Sequence, residues 1–212
     1  MIIGKGQILT CPHCKTEKVI RSILSGNTFG ARLWSDLKLE ATMMPRPSFV
    51  QKCPSCHKYY TLSSQEEETR YSDTEEGKSF GHLSYDEWKE AMKQFTDDNS
   101  FGENDEEATI RILFTHAYND YHFRGVSIIQ PSADDKQLFI QNAEKFLKDD
   151  NLIISNDIML FKAEMFRECG RFEESKKYIE SIKYKMENYN RERLETIMLK
   201  AEEKDCLVFL FK

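Results

Sequence analysis

The chain has 212 residues, of which 40% are hydrophobic, 31% charged and 12% aromatic, and it carries a formal net charge of −6. That balance excludes an intrinsically disordered chain, and no apolar run approaches the ~20 residues of a membrane-spanning helix. The length suits one large domain or two small ones, each able to bury a core.

Charge is unevenly placed. Residues 1–62 hold nine Lys and Arg against three acids, Glu17, Asp36 and Glu40, so this part is +6 and the remainder −12. Such a split is expected either of a nucleic-acid surface on the first part or of two domains of opposite sign that attract each other. Met1-Ile2-Ile3-Gly4-Lys5 runs almost directly into Cys11, which leaves no room for a secretory signal and predicts a cytoplasmic location. In that setting, the two C-x-x-C pairs among the six cysteines are better read as metal ligands than as disulfides.

In chain order, Gln7–Thr10 leads into Cys11-Pro12-His13-Cys14, and the β-branched run Val19–Leu24 leaves it, a hairpin pattern. Ser25-Gly26-Asn27 and Gly30 signal a turn before Ala31–Asp36, which reads as a strand that Leu37–Glu40 continues. Pro45-Arg46-Pro47 interrupts regular structure. Phe49–Lys52 then delivers Cys53-Pro54-Ser55-Cys56, and Tyr59–Leu62 runs out of it. Trp34, Phe29 and Phe49 are expected to form a small core beside these motifs.

Residues 63–83 shift to an acidic composition, with Glu66-Glu67-Glu68 and Asp73-Thr74-Glu75-Glu76, and are expected to link two domains, 1–62 and 84–212. Ser84 and Glu87 make a capping box for a helix over about 85–95, with Trp88, Ala91, Met92 and Phe95 on one face. Ile110, Leu113, Phe114, Ala117, Tyr118 and Tyr121 recur at helical spacing over 106–124. Further helices are predicted over 134–148, with Asn142 interrupting the apolar face, from a cap at Asp157 to Cys169-Gly170, over 172–188 and over 190–204. Asp149-Asp150-Asn151 reads as a turn, and Gly170 suits a left-handed position at a helix end. The apolar tail Leu207–Phe211 must dock on the last helices or on a partner. Cys169 and Cys206 read as small buried apolar residues. The predicted class is thus α+β, a small β module followed by an all-α domain.

A C-x-x-C turn directs two sulfurs at one point, so Cys11, Cys14, Cys53 and Cys56 together predict a tetrahedral S4 site for one Zn2+. Four sulfur ligands leave no position for water, which makes the ion structural, worth on the order of 10 kcal/mol to a module with a thin core. His13 and His57 lie beside the ligands and are expected outside the ligand set. The doubled Cys-Pro-x-Cys resembles the knuckles of zinc ribbons and, less closely, rubredoxin, although Lys15 and His57 stand where glycine is usual in both. The Gly26–Pro47 excursion is similar to turn and tryptophan segments of bacterial zinc-ribbon proteins, a resemblance that carries no activity with it.

In the helical part, Ala163, Phe166, Gly170, Phe172, Ser175 and Ile179 resemble one tetratricopeptide repeat. A 46-residue shift places Ala117 on Ala163, so the preceding pair is an imperfect copy of a 34-residue pattern. The resemblance implies a helix-pair surface that binds a polypeptide. His116, Asp120 and His122 form one further cluster of chemistry-bearing side chains. His116 and Asp120 lie one helical turn apart, an ordinary surface pair or an acid/base pair, with His122 on another face. The expected function is protein–protein interaction through the helical domain. The alternatives are nucleic-acid binding by residues 1–62 and an enzyme with an interdomain site.

Overall fold

A computed structural model describes residues 1–64, 70–73, 77, 79–149 and 155–211. Short strands occupy the first part of the chain: β1 (Ile2–Ile3), β2 (Gln7–Thr10), β3 (Glu17–Ile20), β4 (Ile23–Ser25), β5 (Arg32–Leu33), β6 (Leu39–Glu40), β7 (Val50–Lys52), β8 (Tyr59–Thr61) and β9 (Arg70–Tyr71). Among the described residues six helices follow: α1 (Tyr85–Asp97), α2 (Asn104–His122), α3 (Ala133–Lys148), α4 (Asn156–Glu168), α5 (Phe172–Ile182) and α6 (Asn188–Glu202). The architecture is mixed α+β, and none of these helices is long and apolar enough to cross a membrane.

The chain forms two compact units, Met1–Ala31 with Ala41–Phe101 and Arg32–Glu40 with Gly102–Lys212. These bounds differ from the sequence boundaries at 62 and 84. Residues 32–40 group with the later helices, whereas α1 groups with the strands.

In the first unit β2 pairs antiparallel with β3, Thr10 opposite Glu17, and β7 with β8, Lys52 opposite Tyr59. The second hairpin therefore repeats the first, with Cys53 in the place of Cys11. The run Val19–Leu24 is two strands rather than one. The Arg21 N–H donates to the Ser79 carbonyl at 2.7 Å and its Nε to the Gly77 carbonyl at 3.1 Å, so the chain leaves the β2 ladder and β4 pairs with β1 instead. Much of the expected acidic linker lies outside the described residues, but the rest packs on the strands. β9 adds to the free edge of β2, and Lys5 pairs with Asp73. Gly77 approaches the backbone so closely that a Cβ there would lie 2.0 Å from the Ile20 carbonyl carbon.

The core of this unit comprises Leu9, Ile20, Val50, Tyr59 and Tyr60 with Trp88, Ala91, Met92 and Phe95 from α1. The capping box at Ser84 and Glu87 forms as expected. The Gln94 amide clasps the backbone of β8 as a neighbouring strand would: Oε1 accepts from the Tyr59 N–H and Nε2 donates to the Tyr59 carbonyl, both at 2.9 Å. Phe29 is 89% exposed, so it contributes nothing to the expected aromatic core.

In the second unit residues 32–40 are a hairpin rather than one extended strand. Leu37 at φ 62° turns the chain, the Trp34 and Leu37 N–H groups close the turn, and β5 pairs with β6. The apolar tail runs along β5 as an antiparallel partner. Trp34 bridges to Leu210, the Ser35 N–H donates to the Phe209 carbonyl at 2.7 Å and the Phe211 N–H to the Leu33 carbonyl at 3.0 Å. Asn142 pins α3 to α2, donating to the Arg111 carbonyl and to Thr115 Oγ1, which satisfies a polar group that is 3% exposed. Ser155, rather than Asp157, caps α4, accepting from the Ile158 N–H.

Gly170 at φ 72° closes α4 as expected, its N–H donating to the Arg167 carbonyl and that of Arg171 to Phe166. At the crossing of α4 and α5, both small residues are fully buried and Ser175 Oγ donates to the Ala163 carbonyl at 2.9 Å. α5 ends at Ile182, earlier than the expected 188. A 3-10 turn and an extended Met186 bring that methionine into the core with Leu160, Ile179, Leu194 and Ile197. The expected turn at Asp149–Asn151 falls partly outside the described residues.

Candidate metal centre

Each cysteine pair sits on the turn of one hairpin, and the two turns share a geometry that follows from their backbone hydrogen bonds. The Cys11 N–H donates to the Thr16 carbonyl and the Lys15 N–H to the Cys11 carbonyl, each at 2.9 Å. The Cys53 N–H to Lys58 and the His57 N–H to Cys53 repeat this at 2.9 and 3.2 Å. Closing such a turn requires a left-handed residue after the second cysteine. Lys15 and His57 supply it at φ 62° and 60° without being glycine, a conformation that costs an L-residue about 1 kcal/mol.

The turns bring Cys11, Cys14, Cys53 and Cys56 together with all four sulfurs within 4.8 Å of one another. Cys11 Sγ lies 3.7 Å from Cys56 Sγ, and Cys14 Sγ 3.5 Å from Cys53 Sγ. A tetrahedron with metal–sulfur arms of about 2.3 Å has edges of about 3.8 Å, so the closest separations match such a site. Cys11 and Cys53 are buried, Cys56 is half-buried and Cys14 is exposed. The Ser55 and Cys56 N–H groups both point at Cys53 Sγ at 3.4 Å, partial positive charges that suit a thiolate.

The protonation preferences of the four thiols diverge. The Thr16 hydroxyl and backbone lower Cys14 to about 6. Burial raises Cys53, yet the amides of Cys56 and Ser55 outweigh it and leave the thiol below its ordinary value. Burial pushes Cys11 up. The Lys58 amide lowers Cys56, but burial and the neighbouring thiols overcome it and carry that thiol to about 12. Four thiolates this close repel one another, and a bound cation is what allows all four to ionise together.

The wall of the site is Tyr60, 3% exposed against Cys11, Cys53 and Cys56. Lys18 Nζ lies 5.7 Å from the Tyr60 ring centroid and donates to the Lys52 carbonyl at 2.9 Å. Burial lowers the Lys18 pKa, while the neighbouring Cys53 and Cys11 sulfurs favour its charged form. His13 Nε2 lies 3.4 Å from the Tyr59 carbonyl, and His57 is exposed. Lys18, Tyr60 and Thr16 were missed in the sequence. The equivalence of the two hairpins was the available signal, since Lys18 and Tyr60 occupy the same place in each.

His116, Asp120 and His122 do not converge. His116 Nε2 donates to the Asp36 carbonyl at 2.9 Å, and because a carbonyl only accepts, Nε2 carries the proton. Asp120 pairs with Lys38 and Arg124, and His122 Nδ1 bonds the Ile129 carbonyl among Tyr118, Tyr121 and Phe123. Among the described residues only the four cysteines form a group able to hold a metal. Cys169 is half-buried, its thiol pushed up to about 12 by burial, whereas Cys206 is exposed, contrary to the buried role expected of it.

Comparison of the chain with protein-family models, with curated proteins and with solved structures finds no match.

Proposed function

We propose that the first unit is a structural zinc ribbon and that the second is a helix-pair module that binds a polypeptide, so that the protein acts as an adaptor. The sulfur separations of 3.7 and 3.5 Å, on two equivalent hairpin turns, support the metal reading. Four thiolates suit Zn2+, which has no geometric preference of its own and takes the tetrahedron the turns impose. With all four positions filled by sulfur, the ion's contribution is to fold the unit.

The adaptor reading rests on one observation. The loop after α2 exposes Val126 fully, with Ile128 at 55% and Ile129 at 44%, and Tyr121 on α2 and Ile140 on α3 are exposed as well. Exposed apolar side chains of this number on α2, α3 and the loop between them suit a protein-docking surface. Nucleic-acid binding by residues 1–62 has less support, because many of the bases there are engaged locally. Lys5 pairs with Asp73, Lys52 with Glu87 and Glu90, and Arg21 stacks on Phe80.

Native mass spectrometry of the full chain tests the metal, with one zinc per chain expected. Iron, or no metal, overturns that part. For the adaptor, polypeptides captured from native lysate should be lost from a Val126→Asp, Ile128→Asp variant. An unchanged captured set, or none with either protein, refutes the reading.

A further inference from the structure

The tip of the β5–β6 hairpin plants a carboxylate inside the second unit. Asp36 is 0% exposed. Its Oδ2 accepts from Asn119 Nδ2 at 2.9 Å and from Arg124, whose guanidinium also lies 4.9 Å from the Trp34 ring centroid. Asn119 Nδ2 donates equally to a second carboxyl, Glu168 Oε2 at the end of α4, at 3.0 Å. One amide nitrogen thus bridges two acids. Glu168 Oε1 is sealed from solvent without a hydrogen-bond partner.

Charge balance around this bridge is uneven. Arg124 serves Asp36 and Asp120, the latter also held by Lys38. Arg167 is committed as a fork to Glu164, Nε to Oε2 at 2.8 Å and Nη2 to Oε1 at 2.6 Å, and its remaining bonds go to the Asp205 and Leu207 carbonyls. Asp205 itself turns its carboxylate to Lys200. His116 adds no positive charge, since desolvation lowers its pKa, and burial keeps Tyr118 and Cys169 protonated. Asp36, Glu164 and Glu168 therefore share two buried guanidinium groups, which leaves one acid in excess.

We propose that Glu168 holds a proton in the folded protein and that loss of this proton releases the hairpin tip, Trp34–Lys38, from α2 and α4. With Glu168 neutral, Asn119 bridges an anion and a neutral acid. Ionised, Glu168 places a second anion across the same nitrogen from Asp36. The hairpin tip meets α2 through the polar contacts of Asp36 and Lys38, and the packing of Leu37 on the apolar core of α4–α6 is what this repulsion works against. Burial, then Glu164 and Asp36, raise Glu168 well above the carboxylate range, whereas the Arg124 guanidinium and the Asn119 amide hold Asp36 below it despite burial. The sign follows. An acid with a raised folded-state pKa stabilises the docked form fully below its unfolded value and loses that contribution as pH rises through the folded value.

The test follows the Trp34 indole N–H by NMR in the 15N-labelled full chain, assigned by comparison with Trp88→Phe, while pH is raised from about 5 to about 9. The 13C carboxyl shift of Glu168 is read in parallel. The expected result is one titration common to both probes, above the carboxylate range, with the Trp34 transition absent in Glu168→Gln, which keeps the low-pH signal throughout. Asp36→Asn should move the Glu168 midpoint down. A Glu168 carboxyl that is already ionised at about pH 5, or a Trp34 signal that titrates unchanged in Glu168→Gln, overturns the proposal.

Discussion

Gln94 offers the sharpest test of how α1 completes the first unit. Its amide supplies both a donor and an acceptor to Tyr59, at 2.9 Å each, on a strand whose three residues are all buried. Gln94→Ala removes two hydrogen bonds worth about 1 kcal/mol each and leaves a backbone N–H without a partner, at a further cost of about 1–2 kcal/mol. The Tyr59 carbonyl retains only the longer contact from His13 at 3.4 Å. The expected loss is therefore about 3–4 kcal/mol in the unfolding of the first unit. Trp88, 5% exposed on α1, reports that transition by fluorescence in a Trp34→Phe background under urea. Gln94→Glu keeps the acceptor and loses the donor, so about half the effect is expected. Amide exchange at Tyr59 should accelerate in both. A loss below about 0.5 kcal/mol in Gln94→Ala, with Tyr59 exchange unchanged, would show that the Gln94 clasp does not hold α1 to β8.

Cys11→Ser and Cys53→Ser should each abolish metal retention and unfold the first unit while leaving the second intact, as read by metal content and separate melting transitions. Retained metal with unchanged melting would refute the four-sulfur site. Gly77→Ala places a Cβ against the Ile20–Arg21 backbone and should cost about 1–3 kcal/mol in the first unit, measured by urea unfolding. At the knuckles, Lys15→Val and His57→Val put a β-branched residue in the left-handed region and should each cost about 1–2 kcal/mol, whereas Gly at either position should be tolerated within about 1 kcal/mol. Thermal unfolding of the metal-loaded chain distinguishes the two series.

Local chemistry made the cluster of four cysteines legible. A C-x-x-C turn brings its own two sulfurs together whatever the rest of the chain does, and doubling the motif left one economical way to use both. Helix positions were legible for a related reason, because apolar spacing, the Ser84–Glu87 box and Gly170 act within a few residues of themselves. Even there, the α4 cap moved from Asp157 to Ser155, since both side chains are good caps and only the backbone path selects between them.

What the tertiary structure decided are pairings between residues far apart in the chain, which no local pattern encodes. Trp34 was expected beside the metal as a core aromatic. It lies instead over Arg124, in a hairpin whose Asp36 is buried against α2, and an acid in a turn looks in sequence like any solvated loop residue. The apolar tail had to find cover, but only the fold supplies β5 as its partner. The acidic segment after β8 read as a spacer because its charge masks two strand residues, Arg70 and Tyr71, that close the free edge of β2. Sequence alone thus determined the helices and the sulfur cluster. Which strands, turns and buried charges meet depended on long-range hydrogen bonding and burial, which exist only once the chain has folded.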